Sequence, residues 1–166
     1  MMIPSPLRNT FFLLLFVGST GLSCSTANKN AAPAEPLATS VDSGRWTFTV
    51  QMVRPQEGMN SQPNGTYSVI FKPGNLNVYL PYFGRAFSGA EVFQGKSALD
   101  FISKDFSIDK QQPSEGRWRI VVRPNDQRQV QTMTFQLFNN GTGSLDIIMT
   151  NRSPISYTGQ VSRSRN

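Results

Sequence analysis

The chain has 166 residues, with 16 lysines and arginines against 10 acidic side chains, a net charge of +6, one cysteine and no histidine. Without histidine the commonest general base and the commonest metal ligand are missing, and a lone cysteine cannot close an internal disulfide. These counts argue against an enzyme, a metal site, a bound cofactor and a disulfide scaffold.

The first 24 residues read MMIPSPLRNTFFLLLFVGSTGLSC, with one positive charge at Arg8, an apolar block from Phe11 to Val17 and then small residues. That order is the three-part pattern of a secretory signal. A block of seven apolar residues falls well short of the ~20 that a membrane-spanning helix needs, so 1–23 is expected to be removed. Gly21, Leu22 and Ser23 before Cys24 resemble the lipobox of bacterial lipoproteins, although Gly21 stands where leucine is usual. The competing reading is an ordinary signal cut further downstream, leaving a free thiol. A lone exposed thiol is a liability in an oxidising compartment and a lipidated one is not, so Cys24 is read as the lipid anchor. Several acyl chains on one residue would hold firmly, where one binds only marginally. Ser25 stands where aspartate would signal retention in the inner membrane, which points to the outer membrane and leaves its two faces open.

Residues 25–43, STANKNAAPAEPLATSVDS, are poor in large apolar side chains, and 24–43 is read as lipidated cysteine plus flexible tether. From Gly44 to Val161 the pattern becomes period two. Trp46, Phe48, Val50 and Met52 alternate with polar residues, as do Tyr67, Val69 and Phe71, then Leu76, Val78 and Leu80. The same spacing recurs in Trp118, Ile120 and Val122, in Met133, Phe135 and Leu137, in Leu145, Ile147 and Met149, and in Ile155 and Tyr157. Each run predicts a half-buried strand, and no stretch of ten or more residues carries a helical stripe. Between Leu99 with Phe101 and Phe106 with Ile108 the apolar parity flips, which predicts a turn or bulge near Lys104 and Asp105.

Turn residues separate these runs: NG at 64–65, PGN at 73–75, PSEG at 113–116, PND at 124–126, NNGTG at 139–143 and NRSP at 151–154. Nine strands follow, with a tenth allowed at 85–93. The fold class is all-β, a single antiparallel meander forming a small lipocalin-like up-and-down barrel, with a two-sheet sandwich as the alternative. The basic tail 162–166 is expected to fray.

Three motifs, VYLPYFGRAF at 78–87, GRW at 116–118 and SPISYTGQV at 153–161, resemble domain-of-unknown-function family 4251, small exported lipoproteins of Bacteroidota, over residues 44–161. The resemblance implies an exported all-β domain of lipocalin-like topology. It implies no activity and carries over no site residues.

Candidate chemistry is sparse. Asp100, Asp105 and Asp109, with Glu91 nearby, could pair as carboxylates, but strand and turn acids ordinarily face water, and no calcium-loop spacing is present. Losing Arg8 with the signal leaves 15 basic against 10 acidic residues. Arg117, Arg119 and Arg123 share the outward face of one strand, a solvated basic face unless polyanionic glycan or lipid headgroups meet it; nucleic acid is not an expected partner of an exported domain. The PYFGRAF stretch gathers Tyr79, Tyr82, Phe83, Phe87 and Phe93 around Arg85, and Arg152 and Tyr157 are expected to meet it. Such a cluster is either a pocket for an apolar or anionic ligand or a hydrophobic plug closing one barrel end. Two functions remain open at this point. One is a monomeric, membrane-anchored, non-enzymatic domain that binds a small ligand in or at the barrel mouth. The other is an envelope interaction module that docks a protein or glycan on its outer surface.

Overall fold

The computed structural model of the protein describes residues 37–87 and 97–164. Its first element is a short helix, α1 (Leu37–Asp42), inside the segment expected to be tether. Val41 is buried in the core and Leu37 and Ala38 pack against it, enough apolar surface to dock one helical turn. The helix stops at Gly44, whose φ is +65°. The Gly44 amide donates to the Val41 carbonyl at 3.2 Å and the Arg45 amide to the Ser40 carbonyl at 2.9 Å. This left-handed cap satisfies two orphan carbonyls in a conformation that glycine adopts without strain.

Nine strands follow: β1 (Trp46–Pro55), β2 (Ser68–Lys72), β3 (Asn75–Leu80), β4 (Leu99–Ser103), β5 (Phe106–Ser114), β6 (Arg117–Pro124), β7 (Val130–Phe138), β8 (Thr142–Met149) and β9 (Ile155–Arg163). They form one sheet in the order β4-β3-β2-β1-β9-β8-β7-β6-β5, every neighbouring pair antiparallel. The expected all-β meander is therefore present as a single curled sheet, a half-barrel, and not as two packed sheets. Of the tenth strand allowed at 85–93, residues 88–93 lie outside the described ones, and Ala86 forms only an isolated bridge to Arg152.

The two edge strands, β4 and β5, are consecutive in sequence and separated only by Lys104 and Asp105. Eight antiparallel steps across the sheet separate them, so they run in the same sense. The chain thus passes from one edge to the other as a single bent strand, where a hairpin would have reversed it. Asp126, from the β6–β7 connection, holds the bend. Its carboxylate accepts from the Ser103 hydroxyl at 2.5 Å and from the Lys104 and Asp105 amides at 2.9 and 3.4 Å. Desolvation pushes its pKa up, but those hydrogen bonds outweigh it and hold the carboxyl below the ordinary aspartate value. Past the bend only Phe106 packs on the core. Ile108, expected inside, is 49 % exposed, because β5 is an edge strand that leaves the core behind.

Inward residues of the other strands make one contiguous apolar cluster. Trp46 stacks on Phe71 at 4.9 Å and meets Phe135 edge-on at 4.9 Å, with Phe48 beside Phe135 at 6.1 Å. Each large side chain taken out of water contributes about 1.5–3 kcal/mol. The alternation expected for β1 fails at one place. The β1–β9 register shifts between Val50 and Met52, so Val53 is fully buried and Met52 is not. An extra residue in a strand moves every later side chain to the other face. The tail expected to fray is partly strand: Arg163 and Ser162 pair with Trp46 and Thr47, and the Ser164 amide donates to the Arg45 carbonyl at 3.2 Å. Pairing with β1 satisfies backbone groups there whatever the side chains' polarity.

Candidate functional site

Beyond β3 the chain runs Pro81 to Phe87 across the end of the sheet where β1 and β8 finish and β9 begins. Two tyrosines fix this strap. Tyr157 points inward from β9, is fully buried, and donates its hydroxyl to the Pro81 carbonyl at 2.7 Å. Burial, with Tyr82 nearby as a lesser cause, raises its pKa far above the ordinary tyrosine value. The Tyr82 ring packs against the core, and its hydroxyl lies 2.8 Å from the Ser153 carbonyl and 3.0 Å from that of Arg85, with one proton to donate between them.

Backbone pairing completes the strap. The Ser153 amide donates to the Arg85 carbonyl at 3.0 Å and the Phe87 amide to the Asn151 carbonyl at 2.8 Å. In return the Arg85 amide donates to the buried Ser153 hydroxyl at 2.8 Å. Gly84 is required by the crowding, since a Cβ there would collide with the Tyr82 hydroxyl and the Ser153 Oγ. The Arg152 guanidinium carbon sits 5.5 Å from the centre of the Tyr82 ring, within cation–π range.

The seven candidate residues therefore separate. Tyr82, Arg152 and Tyr157 meet at the strap, with Tyr157 wholly inside. Phe83 and Phe87 belong to the same segment but stand 54 % exposed each. Arg85 extends into solvent and pairs with Glu57 at 3.2 Å, an exposed contact worth at most about 1 kcal/mol. Tyr79 is on the outer wall of β3, stacked on Tyr67 at 5.1 Å. Phe93 and Glu91 lie outside the described residues, as does Cys24.

Beside the strap an open groove of about 400 Å³ runs between Phe83 and the loop after β1, lined by Pro55, Gly58 and Met59. Met59 is 90 % exposed, so this rim presents bare apolar surface next to the Arg85–Glu57 pair. Ser153, Glu57 and Met59 were not singled out by sequence, because a lone serine, acid or methionine in a turn carries no pattern. The three acids of the carboxylate reading, Asp100, Asp105 and Asp109, are all exposed. Asp105 accepts from Asn125 at 2.8 Å and Asp109 from Gln111 at 3.2 Å. Arg117, Arg119 and Arg123 lie outward on β6, Arg117 reaching Gln136 at 3.2 Å.

Comparison with curated proteins gives no match. Among solved structures, the chain is similar to the crystal structure of a DUF4251 family protein from Bacteroides eggerthii, with a TM-score of 0.55 and 12 % identity, covering 77 % of this chain and 85 % of that one. At that identity the likeness concerns the fold. The model of the domain of unknown function DUF4251 matches residues 28–161, further towards the N-terminus than the motifs at 78–87, 116–118 and 153–161, and the chain belongs to that family.

Proposed function

We propose that this protein is a lipid-anchored, non-enzymatic interaction module of the cell envelope that engages its partner on its outer rim and not in its interior. The observation that carries this reading is the division between inside and rim. The inward side chains pack into one apolar cluster, whereas Met59, Phe83 and Phe87 stand bare at one end. Exposed aromatics beside an open groove are the ordinary form of a recognition surface. The direction of the chain supports the same reading. It enters through α1 at the β1 start, and the rim lies past the β1 end, ten residues on, or about 30 Å away at ~3.3 Å per residue. A module tethered at one end offers its other end to a partner. Anchoring through Cys24 rests on the sequence around it, and Ser25 favours the outer membrane.

The test uses the full chain in its native cells, with a photo-crosslinking phenylalanine placed at 59, 83 or, as a control on the outer wall of β4, at 102. Discrete adducts from 59 and 83 but not from 102 are expected. Equal adducts from all three positions, or none, would overturn the rim reading. In parallel, Cys24→Ala is expected to leave the protein soluble in the periplasm or uncleaved in the inner membrane. Processing and outer-membrane fractionation as before would end the anchor reading.

A further inference from the structure

On the outer wall, three strands lay out a row of polar groups in fixed register. Arg54 of β1 stands opposite Ser156 of β9, and Ser156 stands opposite Asp146 of β8. The next row places Thr158 opposite Ser144. These residues line an open groove of about 480 Å³ whose end is walled by Pro55 and Pro154. Cross-strand neighbours share a face, so all of these side chains point into the same space.

The chemistry of the groove is specific. Asp146 lines the groove and is held by Ser156, whose hydroxyl donates to Oδ1 at 2.6 Å, which leaves Oδ2 to accept from a ligand. Arg54 is exposed, and among the described residues its guanidinium forms no hydrogen bond or ion pair. The two charges are two strands apart, about 9–10 Å between backbones at the usual ~4.8 Å spacing, and they cancel in sign. A groove with no net charge does not select an anion. It offers a fork of donors at one side, a carboxylate acceptor at the other, and hydroxyls between that serve as either. A ligand that matches this array has no net charge and carries closely spaced groups able both to donate and to accept. Vicinal hydroxyls have that property, and the proline rings provide apolar edges for the C–H faces of a sugar ring. Among the described residues only one carboxylate lines the groove, whereas glycoside hydrolysis ordinarily uses two flanking the scissile bond.

We propose that the β8–β9–β1 groove binds a neutral saccharide, with Arg54 donating to one pair of hydroxyls, Asp146 accepting from another, and Ser144 and Thr158 between them, and that it binds without cleaving. The groove adjoins the rim, with Pro55 lining both, but its polar row lies on other residues and does not depend on the anchor.

The experiment is an array of neutral, sulfated and sialylated oligosaccharides probed with the purified full chain, followed by calorimetric titration of the best neutral ligand. Binding of at least one neutral oligosaccharide is expected. It should weaken at least tenfold in both Arg54→Ala and Asp146→Asn, and be unchanged in Tyr79→Phe on the β3 wall. Arg54 is exposed, so its variant separates loss of binding from loss of folding, and thermal unfolding of Asp146→Asn checks the other. No neutral ligand on the array, binding confined to anionic glycans, titration unaffected by either variant, or cleaved product after incubation would each overturn the proposal.

Discussion

Replacing Tyr157 with phenylalanine removes one oxygen from the middle of the protein and leaves the ring in place. The hydroxyl donates to the Pro81 carbonyl at 2.7 Å and both residues are buried, so the variant strands an acceptor where water cannot replace the donor. Leaving a buried group unpaired costs about 1–3 kcal/mol, and ~1.5 kcal/mol is the expected loss at pH 7. That corresponds to a Tm lower by about 4–8 °C for a domain of this size. The pH dependence carries a second test. Burial raises the folded-state pKa above the ordinary value of 10.0, so in strong base the unfolded chain ionises Tyr157 while the folded chain keeps its proton. The stabilisation from the buried hydroxyl is therefore full below pH 10 and falls by about 1.4 kcal/mol per unit above it. The difference between wild type and Tyr157→Phe should shrink above pH 10, vanish near pH 11 and invert beyond, while every other titrating group cancels between the two proteins. Urea denaturation followed by circular dichroism at pH 7, 10 and 11 measures it. A gap under about 0.5 kcal/mol at pH 7 would refute the buried bond, and one that stays constant to pH 11 would refute the raised pKa.

Three further substitutions test the β1–β9 pairing and the strap. Gly159 lies opposite Val50 at the β1 bulge, and a Cβ there would run into the Thr49 carbonyl and backbone, which cannot move without breaking the β1–β9 pairing. Gly159→Ala should cost at least about 3 kcal/mol in denaturation. Gly74→Ala, with nothing within 4 Å but a φ of +70°, should cost only about 1 kcal/mol, and equal losses at the two sites would remove the steric argument. Ser153→Ala takes away the acceptor of the Arg85 amide, so hydrogen exchange at Arg85 should quicken about tenfold with β1 and β9 amides unaffected; an unchanged Arg85 would mean that the strap is held without it.

Nine strands and their turns were readable because alternation and turn chemistry are both local. Gly74, Gly116 and Gly141 adopt positive φ in the stretches singled out as turns. The strand order was only partly readable. Period two reports which face a residue takes and nothing about which strands are neighbours, so the pairing of β1 with β9 had no local signal, whereas the parity flip near Lys104 and Asp105 marked the bend from β4 to β5. Met52 was misassigned because a bulge depends on Gly159, more than a hundred residues away in sequence. The α1 segment was missed because six residues are too few to display a helical period, and the β9 extension because backbone pairing is indifferent to the polarity of Ser162 and Arg163. The strap was partly legible. PYFGRAF stood out through its aromatics, whereas its partner Ser153 is an ordinary residue made special only by the fold.

The same alternation decides where chemistry can reside. In a sheet curled around side chains, the inward half of each strand is committed to the core, and Trp46, Phe135, Leu145 and Tyr157 illustrate that commitment. Function must then use the outward half or the strand ends. Outward residues such as Arg54, Ser144, Asp146, Ser156 and Thr158 look like ordinary solvated positions in sequence, because a polar residue between two apolar ones is what any half-buried strand requires. Only register brings them into one row, with Ser156 between a cation and a carboxylate. A polar set that lines up across three strands from two distant parts of the chain is invisible to any reading that takes one strand at a time. The outer wall is for this reason where a structure of this fold adds most to what its sequence suggests.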